Sequence, residues 1–191
     1  MLNTLIALIA TMPFALVITS VAAQPNPRVK LTTNLGAIVI ELYPDKAPIT
    51  VKNFLDYVRS QHYEGTIFHR VMAGFMIQGG GFDASLAEKS ERKSIKNEAD
   101  NGLKNTSGTV AMARLPDPHS ASAQFFINTV DNPGLDHKGK TDRDWGYAVF
   151  GIVVEGMDVV KRIERSPTGR MRGMSDVPTK AITIEKAEII Q

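Results

Sequence analysis

Residues 68–81 read FHRVMAGFMIQGGG, and this stretch combines strand-like alternation with a run of glycines at its end. Side chains two positions apart on a strand share a face, and Gly74 divides the stretch into two short strands. Arg70, Phe75 and Gln78 bring a cation, an aromatic ring and an amide together within nine residues. A charge, a flat apolar surface and a hydrogen-bond donor beside one groove are typical of a site that handles a peptide.

The segments on both sides of this stretch predict short strands and two helices. Alternating apolar residues over 29–33 and 36–42 flank a tight turn and predict a β-hairpin. Pro48 and the helical spacing of apolar residues after it predict a helix of about twelve residues, and the same spacing predicts a short helix over 156–164. Further short strands are predicted at about 66–72, 75–79, 108–113, 124–130, 147–153 and 181–190. This pattern is typical of a mainly β fold, a closed antiparallel barrel of eight strands capped by two α-helices.

The composition fits one globular domain that stands without metals or disulfides. The chain has 191 residues, a length typical of a single domain, and its 43% hydrophobic and 22% charged residues are ordinary for a soluble protein. A net charge of +2 with well-mixed charges argues against a nucleic-acid partner. The absence of cysteine excludes disulfides and a thiol nucleophile, and the four histidines lack the close pairing of a metal site. We expect His69 to be buried and hydrogen-bonded.

The first 23 residues differ from the rest of the chain. They contain no charged side chain and end in small residues before the polar sequence QPNP, which is typical of a secretory signal peptide cleaved near Ala23–Gln24. The alternative is an uncleaved membrane anchor, because about 20 apolar residues can span a bilayer. We expect a signal peptide over 1–23, a folded domain over 24–191, and a periplasmic location.

Three segments together resemble the cyclophilin family of peptidyl-prolyl cis-trans isomerases. They are FHRVMAGFMIQGGG (68–81), GTVAMARLPDPHSASAQFFINT (108–129) and LDHKGKTDRDWGYAVFGIVVEGMDVV (135–160), and they occur in the family's order. Each segment alone is a weak signal, but the set is specific and the resemblance extends over about 29–189. The local sequence in these segments is most similar to that of the bacterial periplasmic branch.

The resemblance implies roles for individual residues. Arg70 is implied as the catalytic donor to the nitrogen of the twisted X–Pro amide, with Phe75 and Gln78 in the catalytic set. Substrate contacts are implied for Met76, Met112, Ala113, Gln124, Phe126, Leu135 and Tyr147. Phe125 is assigned to the core, because adjacent strand residues point to opposite faces. The family implies no metal and no cofactor.

Two positions depart from the family pattern as it is known in many eukaryotic members. Gly134 stands where these members carry a tryptophan, and Tyr147 stands in place of a pocket histidine. Because the family tryptophan donates a hydrogen bond to the inhibitor cyclosporin, we expect weak cyclosporin binding. Trp145 lies in a longer loop over 136–146, from which it can fold back toward the gap.

The function implied is acceleration of X–Pro isomerisation during the folding of exported proteins. The expected partners are proline-containing segments of unfolded or nascent exported proteins, with no nucleic acid and no stable membrane association once the leader is cleaved. We expect a monomer. The alternative is a proline-peptide binding module or holdase chaperone whose catalysis is incidental; retention of Arg70 favours the enzyme, because binding alone needs little beyond the apolar pocket.

Overall fold

The computed structural model describes residues 25–190, which form ten β-strands and two α-helices. The strands are β1 Arg28–Thr33, β2 Gly36–Leu42, β3 Arg70–Met72, β4 Met76–Gly79, β5 Thr109–Met112, β6 Phe125–Asn128, β7 Val149–Glu155, β8 Thr168–Met171, β9 Met174–Pro178 and β10 Ile184–Ile189. The helices are α1 Pro48–Arg59 and α2 Met157–Glu164. The predicted signal peptide and its cleavage at Ala23–Gln24 lie outside the described residues.

Eight strands form one antiparallel sheet in the order β10-β1-β2-β7-β5-β6-β4-β3, and the sheet curls into a half-barrel. Its two edge strands approach each other through an isolated bridge between Ile67 and Thr183 and a hydrogen bond from the Phe68 N–H to the Ile182 carbonyl of 2.9 Å. The predicted mainly β fold with two helices is therefore confirmed. Full closure is not confirmed, because no continuous ladder joins β10 to β3 in the described part of the chain.

Both predicted helices are present. Helix α1 begins at Pro48 and has twelve residues, with Val51 and Phe54 among those that it buries in the core. Helix α2 begins one residue later than predicted, because Gly156 precedes it in a left-handed conformation at φ +82°. The space beside Gly156 is filled by the backbone of Ala37, so only glycine fits this approach.

The sequence interpretation missed one hairpin. Strands β8 and β9 pair with each other in a separate two-stranded sheet, joined by a turn in which Arg172 and Gly173 both have positive φ. Positive φ at both central positions is typical of hairpin turns, but the side chains of β8 are mostly exposed, so the apolar alternation that marks a strand is missing. No helix within residues 25–190 has the length and apolar character needed to cross a membrane.

The sheet separates two apolar clusters. The larger lies between the sheet and α1 and includes Phe54 and Phe125, both fully buried. The smaller lies on the other face, where Met76, Ala111 and Phe126 meet. Phe125 and Phe126 thus point to opposite faces of β6, as predicted from strand alternation. The smaller cluster is the floor of the candidate site.

Candidate active site

An open groove lies over the smaller apolar cluster, where β4, β5 and β6 are neighbours. Its cavity volume is about 100 Å³, so the groove is a shallow cleft smaller than most small-molecule pockets. The residues that line it are Arg70, Phe75, Met76, Gln78, Ala113, Arg114, Phe126, Leu135 and Tyr147. All three residues of the implied catalytic set and five of the seven implied substrate contacts therefore meet in one groove.

Arg70 supplies the positive charge at one side of the groove. It opens β3, where it pairs with Gln78 of β4 in the antiparallel register. Its Nη2 donates to the Sδ of Met72, two residues along the same strand, at 3.0 Å. A thioether is a weak acceptor, and a guanidinium carries five donors that stay protonated, so most of the donor capacity of Arg70 remains free for a ligand.

The turn between β3 and β4 holds Phe75 in place. Glu164 of α2 accepts a hydrogen bond from the Gly74 N–H at 2.9 Å, which ties the turn to the helix. The Phe75 carbonyl accepts from the Asn132 side chain at 2.9 Å and from the Thr129 N–H at 3.1 Å. Backbone contacts from three directions therefore fix the position from which the Phe75 ring enters the groove.

Gln78 and Gln124 form one hydrogen-bonded pair. The Gln78 Nε2 donates to the Gln124 Oε1 at 3.1 Å. An added Cβ at Gly81 would come within 2.5 Å of the Gln124 Cδ, so a larger residue at position 81 would displace the Gln124 side chain from this pair. Gln124 itself lines a neighbouring depression with Glu88 and other polar residues, and it acts on the groove through Gln78.

Aromatic and apolar side chains form the opposite wall. The rings of Phe126 and Tyr147 meet edge to face with centroids 5.6 Å apart, and Leu135 packs against the same cluster. The guanidinium of Arg114 lies 4.8 Å from the Tyr147 ring centroid. Such a stack orients the tyrosine ring while its apolar face remains toward the groove.

Arg114 also ties two loops together, a role that sequence reasoning missed. Its guanidinium donates to the carbonyls of Gly146, Leu115, Pro116 and Asp142 at 2.9–3.2 Å. From the motif GTVAMAR, Arg114 was predicted only to lie beside the strand that binds the peptide. The available signal was a basic residue that ends a buried strand beside a proline-rich loop.

Met112 does not contribute its side chain to the groove. It is 2% exposed and packs in the larger core, because it lies on the face of β5 opposite to Ala111. Its N–H donates to the Ala148 carbonyl at 3.1 Å, and the Ala113 N–H donates to the Gln124 carbonyl at 2.9 Å. The side chain of Met112 therefore belongs to the core, and its implied substrate contact stays a prediction for the backbone of this strand.

The groove is open at Gly134. This residue is exposed in the short turn Pro133–Leu135, and a Cβ built there meets no atom within 4 Å. Trp145 does not fill the gap. Its ring packs edge to face on His119, with centroids 4.7 Å apart, and it is absent from the groove lining.

His69 precedes Arg70 but faces the interior. It is 5% exposed, and its Nδ1 has no hydrogen-bond partner among the described residues. The predicted burial is confirmed, and His69 has the predicted hydrogen bonding through the Ile67 backbone, although its Nδ1 has no partner in the described range. Burial lowers the pKa of His69 to about 4, and the nearby Arg70 charge acts in the same direction. Within residues 25–190, no group of three or more histidine, aspartate or glutamate side chains is placed to hold a metal ion.

Comparison with known proteins gives one consistent family. The family model described as cyclophilin type peptidyl-prolyl cis-trans isomerase/CLD matches residues 28–189. The chain is 59% identical over 162 residues to peptidyl-prolyl cis-trans isomerase cyp18 of Streptomyces antibioticus, covering 85% of this chain and 98% of that protein. It is 57% identical over 157 residues to peptidyl-prolyl cis-trans isomerase B of Escherichia coli strain K12, covering 82% and 96%.

The fold comparison agrees. The structure is similar to a crystal structure of a cyclophilin type peptidyl-prolyl cis-trans isomerase from Cryptosporidium parvum, determined in the presence of the dipeptide Ala-Pro. The TM-score is 0.70 at 28% sequence identity, and the match covers 86% of this chain and 99% of that chain.

Proposed function

This chain belongs to the cyclophilin family of peptidyl-prolyl cis-trans isomerases, and we propose that it isomerises X–Pro bonds in the groove by hydrogen-bond donation from Arg70. The observation that carries this mechanism is the position of the Arg70 guanidinium on the same groove as the apolar residues Phe75, Phe126 and Leu135. One side supplies donors and the other accepts a proline ring.

The chemistry needs no bond cleavage. Amide resonance holds the rotation barrier of an X–Pro bond at about 18–20 kcal/mol, while cis and trans differ by only about 1 kcal/mol. At the top of the barrier the nitrogen becomes pyramidal and regains its lone pair. A donor aimed at that nitrogen stabilises the twisted amide more than either planar form, and such differential binding is catalysis.

The groove residues divide this work. The ring pocket of Phe75, Phe126 and Leu135 holds the proline while the preceding carbonyl turns. Arg70 meets the nitrogen, and Gln78 offers its carbonyl or its remaining N–H to the peptide backbone or to Arg70, its cross-strand neighbour. These roles rest on residues already ordered by the fold, so little reorganisation accompanies binding.

The biological role that we propose is the folding of exported proteins in the periplasm. The apolar, uncharged segment 1–23 supports export, and the groove fits proline-containing segments of unfolded chains. N-terminal sequencing of the exported protein tests this proposal. A new terminus near Gln24 supports it, and an intact Met1 terminus supports the anchored alternative.

Replacement of Arg70 tests the mechanism. We expect Arg70→Ala to lower kcat/KM for a short X–Pro peptide by at least about a hundredfold, since loss of one transition-state donor typically costs that much. NMR exchange or a protease-coupled assay measures turnover, and NMR titration measures peptide binding. Arg170→Ala is the matched control, because Arg170 is an exposed arginine of β8.

The outcomes separate the enzyme from the binding module. Lost turnover with retained peptide binding supports donation by Arg70. Unchanged turnover in Arg70→Ala contradicts the mechanism and leaves the groove as a binding site with incidental catalysis.

A further inference from the structure

The side chain of Met72 already accepts a hydrogen bond from Arg70. The two side chains lie on the same face of β3, and the Arg70 Nη2 donates to the Met72 Sδ at 3.0 Å. Met72 also packs against the floor of the groove. The sulfur is therefore both a neighbour of the substrate site and a direct partner of the guanidinium.

Of the two methionines in the apolar cluster under the groove, Met72 is the more exposed to an oxidant. Strand β3 is the last strand of the sheet, and Met72 is partly exposed on it. Its cross-strand partner Met76 is only 2% exposed, and so is Met112. Met171 on the separate hairpin is 43% exposed and lies outside the groove lining, so it reports oxidation that does not touch the site.

We propose that Met72 is an oxidation site through which peroxide lowers the turnover of this enzyme. The inference rests on the catalytic role proposed for Arg70. In the reaction the sulfur lone pair attacks one oxygen of hydrogen peroxide, the O–O bond breaks and an S–O bond forms. The other oxygen leaves as water after proton transfer, so sulfur loses two electrons and peroxide gains them.

The sulfoxide of Met72 would compete with the substrate nitrogen for the hydrogen bonds that Arg70 donates. A sulfoxide oxygen is a far stronger acceptor than a thioether sulfur, and a hydrogen bond from a charged donor is among the stronger ones in proteins. The guanidinium is then held toward Met72 rather than toward the nitrogen of the substrate. We expect kcat to fall about tenfold, the size of one charge-assisted hydrogen bond, while KM changes little because the ring pocket is intact.

The experiment compares each protein with its own untreated sample. The purified protein is treated with hydrogen peroxide, the oxidised methionines are identified by peptide mass spectrometry, and kcat and KM are measured on an X–Pro peptide. The variants are Met72→Leu, Met76→Leu and Met171→Leu. We expect the loss of kcat in the parent, in Met76→Leu and in Met171→Leu, and no loss in Met72→Leu.

Two further measurements keep the test decisive. Methionine sulfoxide reductases should restore the kcat of the treated parent, which a merely unfolded protein would not regain. Met72→Gln places a carbonyl acceptor beside Arg70 without any oxidant, and we expect it to lower kcat with KM within about twofold of the parent. A variant that fails to fold is recognised by circular dichroism and replaced by Met72→Ile.

The contrary results are equally specific. Equal loss of kcat in Met72→Leu and in the parent overturns the proposal, and protection by Met76→Leu alone assigns the effect to Met76. Oxidation of Met72 without a change in kcat also overturns the oxidation proposal. If Arg70→Ala still lowers turnover strongly in that case, the proposed function stands. Unchanged turnover in Arg70→Ala refutes the proposed function itself, whatever Met72 does.

Discussion

At the scale of single residues, Gly134 leaves the groove open at one end, because it has no side chain that could extend the wall there. Its position is exposed, and nothing stands within 4 Å of the place where a Cβ would be. A large side chain there meets no steric barrier and can extend the wall beside Leu135. The identity of one residue, rather than the shape of the backbone, therefore limits what binds at this end.

A tryptophan at position 134 should restore the missing wall. We expect weak inhibition of the wild-type isomerase by cyclosporin, and inhibition about tenfold tighter in Gly134→Trp, from the added apolar contact and an indole N–H donor. The inhibition constant in the isomerase assay is the measurement. Gly134→Phe supplies the ring without the donor and separates the two contributions. A submicromolar constant for the wild type contradicts this prediction.

Residue-level roles were predictable in part. The alternation in 68–81 and the family resemblance pointed to Arg70, Phe75 and Gln78, and the structure places all three at the groove. For Met112 the resemblance identified a strand whose backbone lies along the peptide, and it left open which face of the sheet the Met112 side chain takes. The hydrogen bond from Arg70 to Met72 could not be predicted, since a thioether contact depends on rotamers that alternation does not determine.

At the scale of elements, the loop that carries Tyr147 depends on Arg114. One guanidinium holds the carbonyls of Gly146 and Asp142 in this loop and two more carbonyls in its own segment. It also stacks on the Tyr147 ring. The wall opposite Arg70 is thus held in part by the side chain of Arg114, two residues after the end of β5.

Removal of that guanidinium should loosen substrate binding. We expect Arg114→Met to raise KM about fivefold with kcat within about twofold, because the ring pocket is disordered while Arg70 is untouched. Steady-state kinetics on an X–Pro peptide measures the split. Arg143→Met is the matched control, an exposed arginine in the same loop. An equal fall in kcat with unchanged KM would assign Arg114 to the transition state instead.

Elements with a buried face were predictable, and those without one were not. Helix α1 follows from Pro48 and its apolar stripe, and the hairpin of β1 and β2 follows from alternation around a tight turn. Strand β8 exposes most of its side chains and β9 buries only Val177 and Pro178, so the Arg172–Gly173 turn was the main mark of this hairpin. Apolar periodicity reports burial, and a strand that buries little leaves little trace in it.

At the scale of the whole molecule, the sequence predicts the number of strands better than their closure. Eight strands of alternating character were expected to form a barrel, and eight form the main sheet. In place of a continuous ladder between β10 and β3, the bridge of Ile67 and Thr183 and a few backbone hydrogen bonds join the segments beside these edges. Closure depends on strand tilt and stagger, which are properties of the assembled sheet and not of any one segment.

Stability as a function of pH is also a property of the whole molecule, and the buried His69 contributes to it. The folded pKa of His69 is lowered to about 4, chiefly by burial, whereas in the unfolded chain it titrates near 6.5. Between these values the unfolded chain binds a proton that the folded chain does not bind. The contribution of His69 to the free energy of unfolding is therefore fully present above pH 6.5 and falls as the pH drops toward 4.

Replacement of His69 should flatten this dependence. A shift of this size corresponds to about 3 kcal/mol across the range, so we expect the free energy of unfolding to fall more between pH 7 and 4.5 in the wild type than in His69→Gln, by about 2 kcal/mol. Urea unfolding at the two pH values measures it, and the comparison of differences removes any constant cost of the substitution. His62→Gln is the comparison: burial lowers the pKa of His62 too, but its Nε2 donates a hydrogen bond to the Gly80 carbonyl that opposes this lowering, so we expect His62→Gln to flatten the pH dependence less than His69→Gln. If the free energy of unfolding fell equally in the wild type and in His69→Gln between pH 7 and 4.5, His69 would have to be protonated in the folded protein at pH 4.5.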